Sequence, residues 1–200
     1  MVTSKRPLVL WSGGFDSTCL VINKLLQSDI DILYVNLDNN SFQQRHEKRA
    51  IRKLKSIIAD ANLPGKIVEE HTFRYQTIKI SRESIFAQPP LWLLAATFIA
   101  NPEFHSSVSI GYVKYDDAWH YKYEIFKAYE ALVNLTFNSN KVLLDFPFEW
   151  KTKKDLIDML KVDFTYADQI LKLAYHCESG NVKSCGECSS CKRHKSELSI

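Results

Sequence analysis

One hexapeptide limits what this chain can become. Ser12-Gly13-Gly14-Phe15-Asp16-Ser17 follows the short apolar run Pro7-Leu8-Val9-Leu10-Trp11 and precedes a stretch in which Thr18, Leu20, Val21, Leu25 and Leu26 recur at helical spacing. The expected order is strand, tight loop, helix. Paired glycines let backbone N–H groups turn inward as a nest, the helix aims its positive end at the same spot, and two serine hydroxyls add donors. Such a loop cradles phosphate. No lysine follows the glycines, so this is not the GxxxxGK[ST] loop that grips β and γ phosphates. A carboxylate at Asp16 beside bound phosphate calls for a cation, which implies Mg2+. The simpler alternative is a plain strand-to-helix connection capped by Ser17. Ser12, Gly13, Gly14, Asp16, Ser17 and Thr18 are the candidate nucleotide-binding residues.

The alternation continues along the chain. Residues 30 to 37 read as a second strand and 43 to 62 as a helix with Ala50, Ile51, Leu54, Ile57, Ile58 and Ala61 on one face. After the Pro64-Gly65 break, residues 66 to 71 read as a weaker third strand. Pro89-Pro90 opens an apolar helical run that Asn101-Pro102 stops; 107 to 112 and 141 to 146 read as strands, and 122 to 135 and 152 to 161 as helices. This pattern predicts an α/β fold, an open parallel sheet of about five strands with helices on both faces and right-handed crossovers. Ligands of such sheets bind beyond the carboxyl ends of the strands at the switch point flanking the first strand, where the hexapeptide falls.

Length and composition bound the rest. Two hundred residues predict one main domain over 1–174 and a small C-terminal module over 175–200. A chain 46% hydrophobic and 24% charged should fold rather than stay disordered. Its longest apolar run, near Leu91 to Ala100, is about half of what spans a bilayer, and the N-terminal run is cut too early for a signal peptide. A cytoplasmic protein without membrane contact is expected. A formal charge of +3 gives no strong sign of nucleic acid.

Cysteine use is uneven. Cys177, Cys185, Cys188 and Cys191 fall within fifteen residues, whereas Cys19 is the only other cysteine and is read as a small core residue. Four thiolates spaced x7, x2 and x2, with Gly186 for the tight turn, suit a closed tetrahedral Zn2+ site. Iron–sulfur and plain thiols are the alternatives, and His176 or His194 are candidate replacements for one thiolate.

The hexapeptide resembles the SGGxDS signature of the PP-loop ATP pyrophosphatases, which share an adenine nucleotide alpha hydrolase-like fold and cleave ATP between its α and β phosphates. Together with the terminal CGECSSC, it resembles the 7-cyano-7-deazaguanine (preQ0) synthase family over nearly the whole chain. Gln44-Arg45-His46 matches that family's QRH after strand two, with Asp38 at the strand end. Leu94-Ala95-Ala96, Gly111, and Pro147, Trp150 and Lys153 of a P-x-x-W-x-x-K segment match as well. The resemblance implies a ligase of queuosine biosynthesis that uses ATP, Mg2+ and Zn2+. It would turn 7-carboxy-7-deazaguanine and ammonia into the nitrile through an adenylate and an amide, as a homodimer. It assigns Asp16, Arg45, His46 and Lys153 to catalysis and adds Asp38 to the nucleotide site. Gln44, Arg45, His46, Asp116 and Asp117 would bind substrate, since a carboxylate accepts from the paired donors of a guanine-like edge. Lys153 would neutralise charge developing on the α phosphate.

Three segments depart from the family pattern: Asn39-Asn40-Ser41-Phe42-Gln43 is an insertion between Asp38 and the QRH match, Ala87-Gln88-Pro89-Pro90 lacks the family's pocket arginine, and Trp119-His120-Tyr121-Lys122 replaces its motif after the fourth strand. The alternative readings are a relative that passes a deazapurine or other acyl group to a different acceptor, protein or nucleic acid, and a nucleotide or deazapurine binder.

Overall fold

The computed structural model describes residues 4–36, 41–75, 88–116, 118–136, 141–174, 185–188, 191–192 and 195–196, without the side chains of 41–43 and 88. Five parallel strands form one sheet in the order β3-β2-β1-β4-β5: β1 (Arg6–Leu10), β2 (Ile30–Asn36), β3 (Ile67–Arg74), β4 (His105–Ser109) and β5 (Leu143–Asp145). The chain steps outward from β1 through β2 to β3, then returns to the other side of β1 for β4. The carboxyl end of β1 therefore borders the switch point.

Helices cover both faces. One face buries α1 (Phe15–Leu25), α2 (Ser41–Asp60), α5 (Lys153–Asp163) and α6 (Ala167–Leu173), and the other buries α3 (Gln88–Ile99) and α4 (Lys122–Thr136). Strand alternation decides which residue joins which core. Val9, Ile32 and Tyr34 join the first core, while Leu8, Leu10, Leu33 and Val35 join the second. β2 is buried along its whole length, as its unbroken apolar run requires. Cys19 sits in the core as expected. No helix among the described residues is long and apolar enough to cross a membrane.

The elements follow the predicted order, with three adjustments. β3 runs on to Arg74 and β5 shrinks to Leu143–Asp145, because both are edge strands whose pairing partner on one side sets their length. A helix that the sequence reading did not anticipate, α6, follows α5. Phe164 between them is extended (φ −139°, ψ 117°), which splits a continuous run into two short helices whose Phe164, Ala167, Ile170 and Ala174 point into one core. The expected boundary at 174/175 borders residues 175–184, which lie outside the described residues.

At the amino edge of the sheet a buried carboxylate ties four strands together. Asp31 Oδ1 accepts from Arg6 Nε (2.7 Å) on β1 and from the Glu69 amide (2.9 Å) on β3, and Oδ2 pairs with His105 Nε2 (2.9 Å) on β4. The other ring nitrogen, His105 Nδ1, accepts the Asn101 amide (2.9 Å), so the proton of a neutral ring sits on Nε2 and points at Asp31. Burial holds His105 below its ordinary pKa of 6.5 despite Asp31, with His71 and Arg6 nearby adding to the effect. The folded chain therefore keeps His105 neutral. As pH falls below about 6.5 the unfolded chain takes up this proton before the folded one does, and stability is lost until the folded ring also titrates. Urea midpoints should stay flat just above neutrality and fall as the pH drops below about 6.5, more steeply in the wild type than in His105→Gln; identical pH profiles would refute this account.

Candidate functional site

The loop after β1 is built from the inside out. Trp11 is 1% exposed, and its indole N–H donates to Thr18 Oγ1 (3.0 Å), whose own proton goes to the Gly14 carbonyl (2.7 Å). Thr18 is fully buried behind the loop, so its expected contact with nucleotide gives way to a bracing role. Gly13 takes φ +79°, and a Cβ there would lie 3.0 Å from both the Glu47 carbonyl and Ile51 Cγ1 of α2. Gly14 is the N-cap of α1 and offers no side chain that would occupy the helix end. Ser12 and Ser17 hydroxyls lie 3.1 Å apart, the Ser12 amide donates to Ser17 Oγ (3.3 Å), and Ser17 Oγ donates to the Gly14 carbonyl (3.2 Å). These long bonds shape the loop, and the hydroxyls can rotate toward an anion.

Two distant segments close on this loop. Gly111, just past β4, packs so tightly that a Cβ would stand 3.0 Å from the Asp16 carbonyl oxygen and 3.2 Å from Ser17 Cα. Lys153 opens α5, where Thr152 and Asp155 form a capping box: the Asp155 amide donates to Thr152 Oγ1 (3.2 Å) and the Thr152 amide to Asp155 Oδ2 (2.7 Å). These hydrogen bonds hold the Asp155 carboxyl below its usual pKa. With the helix start fixed, Lys153 Nζ comes to 3.7 Å from Asp16 Oδ2, with both side chains mostly covered. A cation and a carboxylate thus meet over the phosphate loop from positions 137 residues apart.

The remaining candidates are distributed around the same edge. Gln44, Arg45 and His46 occupy the first turns of α2, whose Glu47 carbonyl touches Gly13. Arg45 is exposed, His46 is half-buried, and the Gln44 amide nitrogen is buried without a hydrogen-bond partner among the described residues. Asp116 lies on a turn beyond β4 in which its amide donates to Val113 O (3.1 Å). Asp38 and Asp117 lie outside the described residues. The sequence reading passed over Glu47, the lone acid in a basic run, which accepts from Tyr34 OH (2.8 Å) and fixes α2 to β2. Burial, then Glu47, pushes that phenol well above its ordinary range.

Two side-chain groups have the makings of metal sites. Cys185, Cys188 and Cys191 bring their sulfurs within 4.8 Å of one another; Cys177 lies outside the described residues. Amides of Glu187 and Cys188 donate to Cys185 Sγ (3.4 and 3.3 Å), and Cys191 N to Cys188 Sγ (3.4 Å), with Gly186 at φ +73° making the turn. Amide donors aimed at sulfur can orient these side chains for a shared metal ion. Asp31, His71 and His105 form the second group. His105 fails as a ligand, because a metal on Nε2 would need the proton on Nδ1, where the Asn101 amide already points.

Comparison with known proteins adds to this geometry. The family model described as QueC, queuosine biosynthesis protein QueC, matches residues 90–199, more than half of the chain. That span holds Gly111, Lys153 and the cysteine cluster, and the phosphate loop precedes it. No curated protein matches. Among solved structures, the U34-tRNA thiolase NcsA from Methanococcus maripaludis with its 4Fe-4S cluster superposes with a TM-score of 0.52 at 16% identity. The match covers 99% of this chain and 65% of that one, so the two share a fold and this chain spans about two thirds of the thiolase's length.

Thr18→Val tests the bracing role. It leaves the buried Trp11 indole N–H without its acceptor, while the Gly14 carbonyl keeps the Thr18 amide and Ser17 hydroxyl, and should cost about 1–3 kcal/mol of stability in urea titrations. A loss of ATP affinity with unchanged stability would instead return Thr18 to the nucleotide site.

Proposed function

Because the chain belongs to the QueC family, we propose that it is an ATP-dependent adenylating enzyme that converts 7-carboxy-7-deazaguanine and ammonia to 7-cyano-7-deazaguanine. The observation that carries this reading is the meeting of Lys153 with Asp16 over the loop (3.7 Å). It joins the P-x-x-W-x-x-K segment to SGGFDS, which is what α,β chemistry on ATP needs: donors for pyrophosphate and a cation beside the α phosphate.

The chain's own residues divide the work. Gly13 lets α2 pack against the loop, Gly14 leaves the start of α1 without a side chain, and Ser12 and Ser17 supply rotatable donors. The substrate carboxylate attacks the α phosphorus, pyrophosphate leaves, and Lys153 neutralises charge gathering on the phosphoryl oxygens. Ammonia then displaces AMP to give the amide. A second ATP activates the amide oxygen, which departs with AMP as the nitrogen loses its protons. Arg45 and His46 at the start of α2 are assigned to the reacting carboxylate, and Gln44, whose amide nitrogen is buried without a hydrogen-bond partner among the described residues, is assigned to a ligand oxygen. Asp116, with Asp117 beside it in the sequence, is assigned to the guanine-like edge.

Metals fit the donor sets. Asp16 would hold Mg2+, which supplies charge neutralisation to the triphosphate when bound. Cys185, Cys188 and Cys191 with Cys177 would hold structural Zn2+. Elemental analysis should find one zinc per chain, and Cys188→Ser should destabilise the C-terminal segment because a site short of a ligand loses folding energy. Iron with acid-labile sulfide instead of zinc would overturn that assignment.

Incubation with ATP, Mg2+, ammonium and 7-carboxy-7-deazaguanine should yield AMP, amide and nitrile by mass spectrometry. Lys153→Met should lower AMP release about 10²-fold, and Asp16→Ala should abolish it with the fold retained. Release of ADP by the wild type, or AMP without amide, would sink the reading; the second outcome would favour a different acceptor.

A further inference from the structure

The tertiary structure sets two unusual surfaces on opposite flanks of the phosphate loop. The first is a stripe of cations on α2. Arg45, Lys48, Arg49, Arg52, Lys53 and Lys55 all fall on the half of the helix opposite its buried Ala50, Leu54, Ile57 and Ile58. Lys55 pairs with Glu70, and Lys48 lies 5.7 Å from the Tyr34 ring centroid. Arg49, Arg52 and Lys53 are exposed and have no acidic partner among the described residues. Arg45 and Arg49, and Arg49 and Lys53, stand at i,i+4, and Arg49 and Arg52 at i,i+3, so these like charges repel. A merely solvated helix face mixes signs; this one costs the fold stability. The stripe starts at the turn whose backbone touches Gly13 and runs away from the loop.

The second surface is an aromatic ledge past β4. Tyr115, Trp119 and Trp150 form a chain of rings with centroids 5.9 and 6.4 Å apart, and the outer two are 64% and 67% exposed. These exposed rings are held still. Lys122 Nζ sits 3.9 Å from the Trp150 centroid and 5.1 Å from that of Trp119, and bonds Glu149 (3.0 Å). The Trp119 indole donates to the Glu149 carbonyl (2.7 Å), and Lys114 N donates to Lys151 O (2.8 Å). Tyr115 is displayed at φ +68°, a conformation costly for a tyrosine. Even with Lys122 over its ring, Trp150 stays 67% exposed. The ledge adjoins the loop through Gly111 and Lys153.

We propose that these surfaces bind one single-stranded nucleic acid, with phosphates along Arg49, Arg52 and Lys53 and bases stacked on Trp150 and Tyr115, so that the strand passes the phosphate loop. Cationic tracking of the backbone plus aromatic stacking is the combination that binds single strands without a sequence code. A duplex cannot use the ledge, because its bases are already stacked. An anionic membrane would use the stripe alone. The inference does not depend on the deazaguanine reading, since binding is measured without ATP or deazaguanine.

The test is fluorescence anisotropy of the wild-type chain with labelled 12-mers of single-stranded RNA, single-stranded DNA and duplex DNA, alongside phosphatidylserine vesicles. Single strands should bind at least tenfold tighter than duplex, and the RNA and DNA arms identify the preferred strand. The log–log salt slope should be about −2, from about −0.7 per phosphate over three contacts. The R49E/R52E/K53E variant should lose at least tenfold affinity and flatten that slope without a fall in melting temperature, since it relieves the like-charge repulsion. Trp150→Ala should lose about tenfold with the slope unchanged. Equal affinity for duplex or vesicles, absence of binding at about 50 mM salt, or an unchanged R49E/R52E/K53E variant would overturn the proposal.

Discussion

The buried carboxylate of Asp31 sets the geometry on which the rest depends. It accepts from β1, β3 and β4 at once, through Arg6, the Glu69 amide and His105. A carboxylate taken out of water is expensive unless every lone pair is used, and here both oxygens are engaged. The strands meet this demand only in one register. That pins the amino edge of the sheet, and because parallel strands rise together, it also fixes how far each carboxyl end projects. The loop after β1, the Gly111 turn after β4 and the start of α2 after β2 are thereby brought to a common edge.

At that edge, close packing does what hydrogen bonds do at the other. Gly13 admits α2 and Gly111 admits the backbone of Asp16 and Ser17, each at distances a side chain would spoil. The loop is thus gripped from both sides. Trp11 and Thr18 carry the grip into the core, which ties a small polar loop to the strand beneath it. Rigidity matters for an anion site, since donors aimed in advance do not have to be reorganised when charge arrives.

Family membership and local chemistry come from different halves of the chain. The matched segment begins at residue 90, after the phosphate loop, and contributes Lys153 and the cysteines. Only the folded chain unites the two halves, and it does so through the capping box that orients α5 toward Asp16. The same segment holds one of the departures from the family pattern, Trp119-His120-Tyr121-Lys122, whose Trp119 and Lys122 pack with Trp150.

Periodicity in the sequence determined the α/β class, the strand order along the chain and the identity of the loop, because hydrophobic spacing and paired glycines act over a few residues and leave local traces. It also located the cysteine cluster, whose spacing is its chemistry. α6 escaped notice because the extended Phe164 breaks a run that its apolar residues otherwise continue. Thr18 was read as a ligand contact because a hydroxyl in a phosphate loop has no sequence mark of the direction it faces; Trp11 beneath it decides that. The Asp31 network joins residues 6, 31, 69 and 105, and the Lys153–Asp16 contact joins residues 153 and 16. No spacing rule links them, since the sheet order β3-β2-β1-β4-β5 rather than chain distance makes them neighbours. Charge followed the same rule. The sequence fixes a net +3, whereas the helix gathers the α2 cations onto one stripe, because a sum over residues carries no direction and a folded helix does.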